Sequence, residues 1–181
     1  MHDPGEKACT GARTEELCAL TCSHVDLQGE PPSSMVWRSV RAGGDTKTEK
    51  SRRTLAMPKR CVDALKAHRE RQAVPRKAAG IRWQDNDLVF ASTVGTPLDS
   101  HNVRRAFRKV VKKAGLNEKE WTPREMRHSF VSLLSASGVP IENISRLVGH
   151  SNTKVTETVY RKQLRPVLLE GAEAMDDLFK P

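Results

Sequence analysis

In the second half of the chain, two capped amphipathic helices joined by a short turn constrain the fold more than any other sequence feature. Residues 122–125 (TPRE) have the form of a capping box with proline at the first helical position, which predicts that a helix begins there. Gly138 ends this helix, Pro140 begins the next one, and Gly149 stops it. Apolar residues recur at helical spacing in both segments: Met126, Phe130, Leu133, Leu134 and Ala136, then Ile141, Ile144, Leu147 and Val148. This half of the chain is therefore predicted to be helical.

The first third of the chain is predicted to hold a small antiparallel sheet. Residues 35–40 (MVWRSV) are rich in strand-forming residues, and a Gly43-Gly44-Asp45 turn follows them. Residues 46–58 (TKTEKSRRTLAMP) then end in a second strand pattern. A short helix over residues 14–22 is expected to precede the sheet.

A helix and a polar segment are predicted to link this sheet to the helical half. Pro58 suits the first turn of a helix that runs to about residue 73. Residues 74–86 are expected to form a polar loop, and residues 87–93 (DLVFAST) a strand or an extended segment. The predicted fold class is therefore α+β, mainly α-helical, with a small antiparallel sheet in the first third.

The positive charge of the chain is concentrated in two stretches. Residues 101–116 follow a helix cap at Asp99 or Ser100, and they carry six lysines and arginines with no acid. Residues 38–60 carry eight lysines and arginines against two acids. The whole chain has a formal net charge of +9, which favours a polyanionic partner, and nucleic acid is the commonest. An apolar stripe lies opposite the charges of the first stretch: Val103, Ala106, Phe107, Val110, Val111 and Ala114.

Composition excludes several other classes of protein. Hydrophobic residues make up 37% of the chain, and no apolar run approaches the roughly 18 residues that a membrane-spanning helix needs. The first residues lack the apolar region of a signal peptide, so a cytoplasmic location is expected.

The cysteines do not predict a metal site or a set of disulfides. Without a secretory signal, a disulfide framework is not expected from Cys9, Cys18, Cys22 and Cys61. A zinc site would need paired Cys-x-x-Cys spacing and a fourth ligand. Cys18 and Cys22 are instead expected to line one face of the short helix as small hydrophobic residues. No metal or cofactor is expected.

Three stretches, taken in order, resemble the tyrosine recombinase (phage integrase) family. Residues 10–27 (TGARTEELCALTCSHVDL) resemble its first arginine box, and residues 46–58 resemble its lysine hairpin. Residues 122–164 have the form of its second arginine box, its Gly-His turn and its nucleophile tyrosine. The resemblance covers nearly the whole chain. It implies a catalytic domain over residues 13–165, after a segment 1–12 that does not match.

The resemblance also implies a role for each matched residue. Arg13 and Arg127 would clamp the nonbridging oxygens of a phosphodiester, because a guanidinium binds two oxygens at once and stays charged. Tyr160, the only tyrosine in the chain, would be the nucleophile that forms a covalent intermediate. Lys47 would protonate the departing 5′ oxygen, and His150 would bind a phosphate oxygen or assist proton transfer. The implied reaction is site-specific DNA cleavage and rejoining, as in integration or excision of a mobile element.

Two positions leave the assignment open. The family usually has a histidine three residues before its second arginine, whereas this chain has Arg124, which we count among the candidate catalytic residues. Lys50 lies three residues after Lys47 and is an alternative general acid.

The resemblance implies double-stranded DNA as the partner, with a homo-tetramer on DNA and a monomer in its absence. A separate N-terminal DNA-clamping domain is expected to be absent from this chain. Residues 166–181 are predicted to form an acidic amphipathic C-terminal helix that follows a helix from Val155 to about Lys162.

Three alternatives remain at this point. The Gly turn between the two helices of the second half also resembles a helix-turn-helix DNA-binding regulator, in which Tyr160 would be structural. A type IB topoisomerase would use the same chemistry without strand exchange. The chain could also be an inactive, truncated remnant of an integrase.

Overall fold

The computed structural model describes residues 11–37, 52–150, 153–154 and 156–158. A short helix and three strands come first, and longer helices follow. The elements are α1 (Thr14–Cys18), β1 (Val25–Asp26), β2 (Ser33–Val36), β3 (Arg53–Ala56), α2 (Lys59–Ala79), α3 (Ser100–Lys113), α4 (Pro123–Ala136) and α5 (Ile141–Val148). Residues 153–154 and 156–158 are helical as well. The predicted fold class, mainly α-helical with a small sheet in the first third, is confirmed.

The sheet has three antiparallel strands in the order β1-β2-β3. In the register of β2 and β3, Ser33 pairs with Ala56 and Val36 pairs with Arg53. Strand β2 begins two residues earlier than predicted and ends at Val36, so the expected strand over residues 35–40 is only partly confirmed. The predicted Gly43-Gly44-Asp45 turn lies outside the described residues.

Helix α2 corrects the prediction of a polar loop over residues 74–86. The helix runs through Pro75 to Ala79, and a 3-10 helix over Gly80–Arg82 extends it. The alanines and the lysine that follow Pro75 are strong helix formers, and they continue the helix although the proline removes one donor and crowds the carbonyl one turn earlier. Gly80 then ends the helix at a positive φ of 52°, with its N–H donating to the carbonyl of Arg76.

Helix α1 is shorter than the predicted helix over residues 14–22. It ends at Cys18, and a separate 3-10 helix begins at Cys22. Cys18 is buried and Cys22 is exposed, so the prediction that both line one helix face was wrong. The chain turns at Ala19, and four-residue spacing no longer places two side chains on the same face.

The helix ends in the second half follow the predicted pattern with one exception. The Asp99 side chain accepts hydrogen bonds from two backbone N–H groups of α3, which confirms its capping role. Pro123 stands at the first position of α4, but the Thr122 side chain makes no capping hydrogen bond there. Glu125 contacts His128 within the helix instead of closing a capping box, with Oε2 3.2 Å from Nδ1. The predicted box is therefore wrong, although the helix begins where it was expected.

Two apolar clusters stabilise the described part of the chain. The larger one joins the sheet region to α2 and to residues 87–93. Residues 87–93 were predicted to form a strand or an extended segment, and they form an extended segment with isolated β-bridges. The smaller one holds α4 against α5 through Val131, Ile144 and Val148, which are almost completely buried. Among the described residues, no helix is both long and apolar enough to cross a lipid bilayer.

Candidate active site

Arg127 is the buried centre of the candidate site. It lies on α4, where only 8% of its surface is exposed. Its Nη1 donates to the carbonyl of Gly11 at 2.5 Å, and its Nη2 donates to the carbonyl of Val148. Burial, followed by repulsion from Arg13 and Arg53, lowers the pKa of Arg127 to about 9, although Glu16 opposes this effect. The guanidinium therefore stays charged at neutral pH while it ties the segment before α1 to the end of α5.

Arg13 reaches the same turn from the start of α1. Its Nη1 forms an ion pair with Glu16 Oε1 at 2.8 Å, and its Nη2 donates to the carbonyl of Gly149 at 3.2 Å. The Arg13 side chain keeps 35% of its surface exposed. Arg13 is therefore held from one side, and the rest of its guanidinium is open to a ligand.

Glu16 and Arg53 form an ion pair that the sequence analysis missed. Arg53 Nη2 lies 2.9 Å from Glu16 Oε2, and Arg53 Nε donates to the carbonyl of Leu147 at 2.8 Å. Burial alone would raise the pKa of Glu16, but the hydrogen bonds and charges of Arg53 and then Arg13 lower it to about 2. The sequence did contain one indication that Arg53 is buried. Arg53 and the buried Leu55 are two residues apart in one strand, so they share a face.

His150 follows the turn at the end of α5. Its backbone N–H donates to the carbonyl of Ser145 at 3.0 Å, and its Nδ1 lies 2.8 Å from the hydroxyl of Thr156. Burial lowers the pKa of His150 to about 4, and the charges of Arg127, Arg13, Arg53 and His128 contribute further. His150 is therefore neutral at pH 7 and carries one ring N–H.

Gly149 makes this turn possible. It adopts a left-handed conformation with φ of 64°, which a residue with a side chain rarely adopts. A Cβ at this position would also lie 2.8 Å from Arg53 Nη1. Glycine therefore lets Arg13, Arg53 and His150 meet at the end of α5.

The structure does not bring every predicted residue into this network. Arg124 lies one helical turn before Arg127, is exposed, and has no hydrogen-bond partner within the described part of the chain. Its catalytic role stays a prediction. Lys47, Lys50 and Tyr160 lie outside the described residues.

The arrangement is suited to binding an anion. Burial, and then the charges of neighbouring arginines, lower the pKa values of Arg127 and His150. In the part of the chain that the structure describes, Arg13, Arg53 and Arg127 face a single carboxylate, Glu16, at this turn. A phosphate there would be attracted by Arg13 and Arg127, and the same potential would lower the pKa of a phenol brought close. The described residues contain no group of three or more side chains able to hold a metal ion.

The sequence is similar to those of integrases and tyrosine recombinases. A sequence model described as the phage integrase family matches residues 8–165. An integrase from Streptomyces ambofaciens is 64% identical over 179 residues, which are 94% of this chain and 46% of that protein. A protein named tyrosine recombinase XerC-like, from Caldanaerobacter subterraneus, is 29% identical over 136 residues, which are 74% of this chain and 34% of that protein. The chain thus spans less than half the length of these two relatives.

Solved structures with a similar fold include a recombinase and a transposon integrase. The crystal structure of XerA recombinase has a TM-score of 0.67 at 28% identity and covers 96% of this chain and 54% of that chain. The Tn1549 transposon integrase in complex with transposon right end DNA has a TM-score of 0.74 at 22% identity and covers 97% of this chain and 57% of that chain. At that lower identity, the likeness concerns the fold alone.

Proposed function

Since this chain belongs to the phage integrase family, we propose that it cleaves and rejoins DNA at specific sites through a 3′-phosphotyrosine intermediate on Tyr160. The observation that carries the proposal is the cationic turn, where Arg13 and Arg127 bond to the adjacent carbonyls of Gly149 and Val148. Two guanidinium groups held at one turn, with a neutral imidazole beside them, form a preorganised site for a phosphodiester.

The proposed reaction is a transfer of the phosphoryl group to the tyrosine. The Tyr160 oxygen attacks phosphorus and its proton passes to solvent water, the bond from phosphorus to the 5′ oxygen breaks, and Lys47 or Lys50 protonates the leaving oxygen. The phosphotyrosine bond retains the energy of the phosphodiester, so a 5′ hydroxyl can reverse the step without ATP. Arg13 and Arg127 stabilise the charge that develops on the nonbridging oxygens, and Arg124 remains a candidate for contact with the same phosphate.

The exposed basic face of α3 supports double-stranded DNA as the substrate. All six of its lysines and arginines are exposed, while Phe107 and Val111 are buried on the other side of the helix. Such a face suits sequence-independent contact with the phosphate backbone. We expect a monomer in the absence of DNA and a homo-tetramer on an assembled site, acting in the cytoplasm on the ends of a mobile element.

The ion pair between Glu16 and Arg53 favours this reaction over a helix-turn-helix regulator. A regulator needs α4, α5 and the turn between them. It does not need a buried network that joins α1, β3 and the end of α5 around two arginines.

The test is covalent capture of the intermediate. Nicked suicide duplexes that tile the DNA on both sides of the coding sequence are incubated with the chain, and adducts are detected on denaturing gels. The wild type should form an adduct that resists SDS, whereas Tyr160→Phe should form none and bind DNA as before. An adduct formed by the phenylalanine variant would refute the assignment of Tyr160, and DNA binding without an adduct from the wild type would favour the regulator.

The arginine clamp predicts a quantitative loss of adduct formation. Arg13→Ala should slow it by about 10²- to 10³-fold, the effect of removing one preorganised donor from a transition state. Arg82→Ala is a matched control, because Arg82 is an exposed arginine on the 3-10 helix after α2. Equal rates for the two variants would contradict the clamp.

A further inference from the structure

Thr156 is a buried side chain that the proposed chemistry does not use. It has no exposed surface, and its hydroxyl lies 2.8 Å from His150 Nδ1. It belongs to the helical residues 156–158 and precedes Tyr160 by four positions in the sequence. A fully buried hydroxyl needs a hydrogen-bond partner, and the imidazole provides one.

The contact bears on which nitrogen of His150 carries the proton. The lowered pKa leaves the ring neutral at pH 7, so one nitrogen is a donor and the other an acceptor. The hydrogen bond at one ring nitrogen decides the state of the other. A hydroxyl that donates to Nδ1 leaves the proton on Nε2, where it can be donated to a phosphate oxygen.

We propose that Thr156 is a positioning residue that donates its hydroxyl proton to His150 Nδ1 and thereby holds the imidazole as an Nε2–H donor for the scissile phosphate. The same hydrogen bond joins the Gly-His turn to the segment that leads to the nucleophile. The catalytic part of this inference rests on the proposed function, whereas the tautomer of His150 does not.

The Thr156 hydroxyl could instead donate to a backbone carbonyl, and the experiment must distinguish this arrangement from donation to His150 Nδ1. A threonine in a helix often donates to the carbonyl one turn earlier, as Thr158 does to Lys154 at 2.8 Å. In that case Thr156 would accept a proton from Nδ1, and the imidazole would present a bare Nε2. The two arrangements give opposite tautomers.

Nitrogen NMR of the full chain distinguishes these tautomers without DNA. Long-range ¹H–¹⁵N spectra of the ¹⁵N-labelled protein are recorded near pH 7, and the signals of His150 are identified by their loss in His150→Gln. Protonated Nε2 and bare Nδ1 are expected in the wild type and in Thr156→Ser. In Thr156→Val, which keeps the shape but lacks the hydroxyl, the two tautomers should exchange. Protonated Nδ1 in the wild type, or an unchanged spectrum in Thr156→Val, would overturn the inference.

Adduct formation on the suicide duplex tests the catalytic consequence. Thr156→Val should slow it by about 10- to 100-fold, the loss seen when the hydrogen-bond partner of a metal-bound histidine is removed, and Thr156→Ser should restore most of the rate. Thr158→Val is the matched control, because it makes the same change at an exposed position of the same segment. In a His150→Gln background, Thr156→Val should cost nothing further, and a full additional loss there would show that Thr156 does not act through His150.

The two measurements also separate failure of this inference from failure of the proposed function. If the wild type shows the Nε2–H tautomer and forms no adduct on any duplex, the proposed reaction is wrong and the positioning of His150 stands. If adducts form and the tautomer is Nδ1–H, the reaction stands and the inference fails.

Discussion

Replacing Glu16 with glutamine should destabilise the protein strongly at neutral pH and hardly at all in acid. In the folded chain the pKa of Glu16 falls from 4.5 to about 2, because the hydrogen bonds and charges of Arg53 and Arg13 together outweigh the effect of burial. A difference of this size corresponds to about 3 kcal/mol of unfolding free energy. That agrees with the roughly 3–5 kcal/mol lost when one partner of a buried ion pair is removed.

The sign of the pH dependence follows from the lowered pKa. The unfolded chain takes up a proton at Glu16 below about pH 4.5, whereas the folded chain resists protonation down to about pH 2. The stabilisation is therefore complete above pH 4.5 and is lost as the pH falls toward 2. Glutamine cannot gain or lose this contribution, so the difference between wild type and Glu16→Gln should shrink over the same interval.

Urea unfolding followed by tryptophan fluorescence measures this difference at several pH values. Glu15→Gln is the matched control, since it removes the same charge from the neighbouring position of α1, and it should cost less than about 1 kcal/mol. If the difference between wild type and Glu16→Gln stays constant from neutral pH to about pH 3, or if the two variants lose equal stability at pH 7, the ion pair with Arg53 does not stabilise the fold through the Glu16 carboxylate.

Three further predictions concern the clamp, the basic helix and the C-terminal segment. Arg127→Lys should slow adduct formation by about 10²-fold or more, because one ammonium cannot make the two-pronged contact of a guanidinium. Single-turnover rates, compared at matched fractions of folded protein, measure this effect. A wild-type rate for Arg127→Lys would contradict the arginine clamp. Replacing Arg104, Arg108 and Lys112 of α3 together with alanine should lower the slope of log affinity against log salt by about 0.9 for each phosphate that α3 no longer neutralises, and an unchanged slope in a gel-shift titration would place DNA elsewhere. Deleting residues 166–181 should weaken assembly on DNA, measured by light scattering, and should change adduct formation. Simple DNA binding, measured by gel shift, should change less. If neither assembly nor adduct formation changes, this segment has no role in them.

The parts of the fold that follow from local chemistry could be predicted from the sequence. Asp99 caps α3 because its carboxylate reaches two backbone N–H groups, and Gly149 ends α5 because only glycine enters the left-handed region easily. The end of α2 could not be predicted in this way, because Pro75 was interpreted as a break. Helix formers follow the proline and Ala79 is buried, and the helix continues to Ala79 although the proline removes a donor and crowds the preceding turn.

The residues of the candidate site also divide into those that the sequence identifies and those that it does not. Arg13, Arg127 and His150 were identified through a resemblance in motifs, and the structure places them at one turn. Glu16 and Arg53 were missed because their roles depend on a contact between distant segments, and Thr156 was missed although it lies only six residues after His150. Arg53 and Glu16 are 37 residues apart in the sequence, and no local pattern records that pairing. The burial of Arg53 was predictable from strand alternation, but its partner was not.

The backbone acceptors of Arg127 determine how the site comes apart in acid. Carbonyl oxygens carry no titratable proton, so the bonds to Gly11 and Val148 survive at a pH where Glu16 gains a proton and releases Arg53. Acid should therefore first loosen the attachment of β3 to α1, whereas Arg53 Nε stays bonded to the carbonyl of Leu147 and Arg127 stays bonded to its two carbonyls. A change of side chain at position 148 likewise leaves the acceptor carbonyl in place, whereas a change of side chain at position 16 removes the carboxylate.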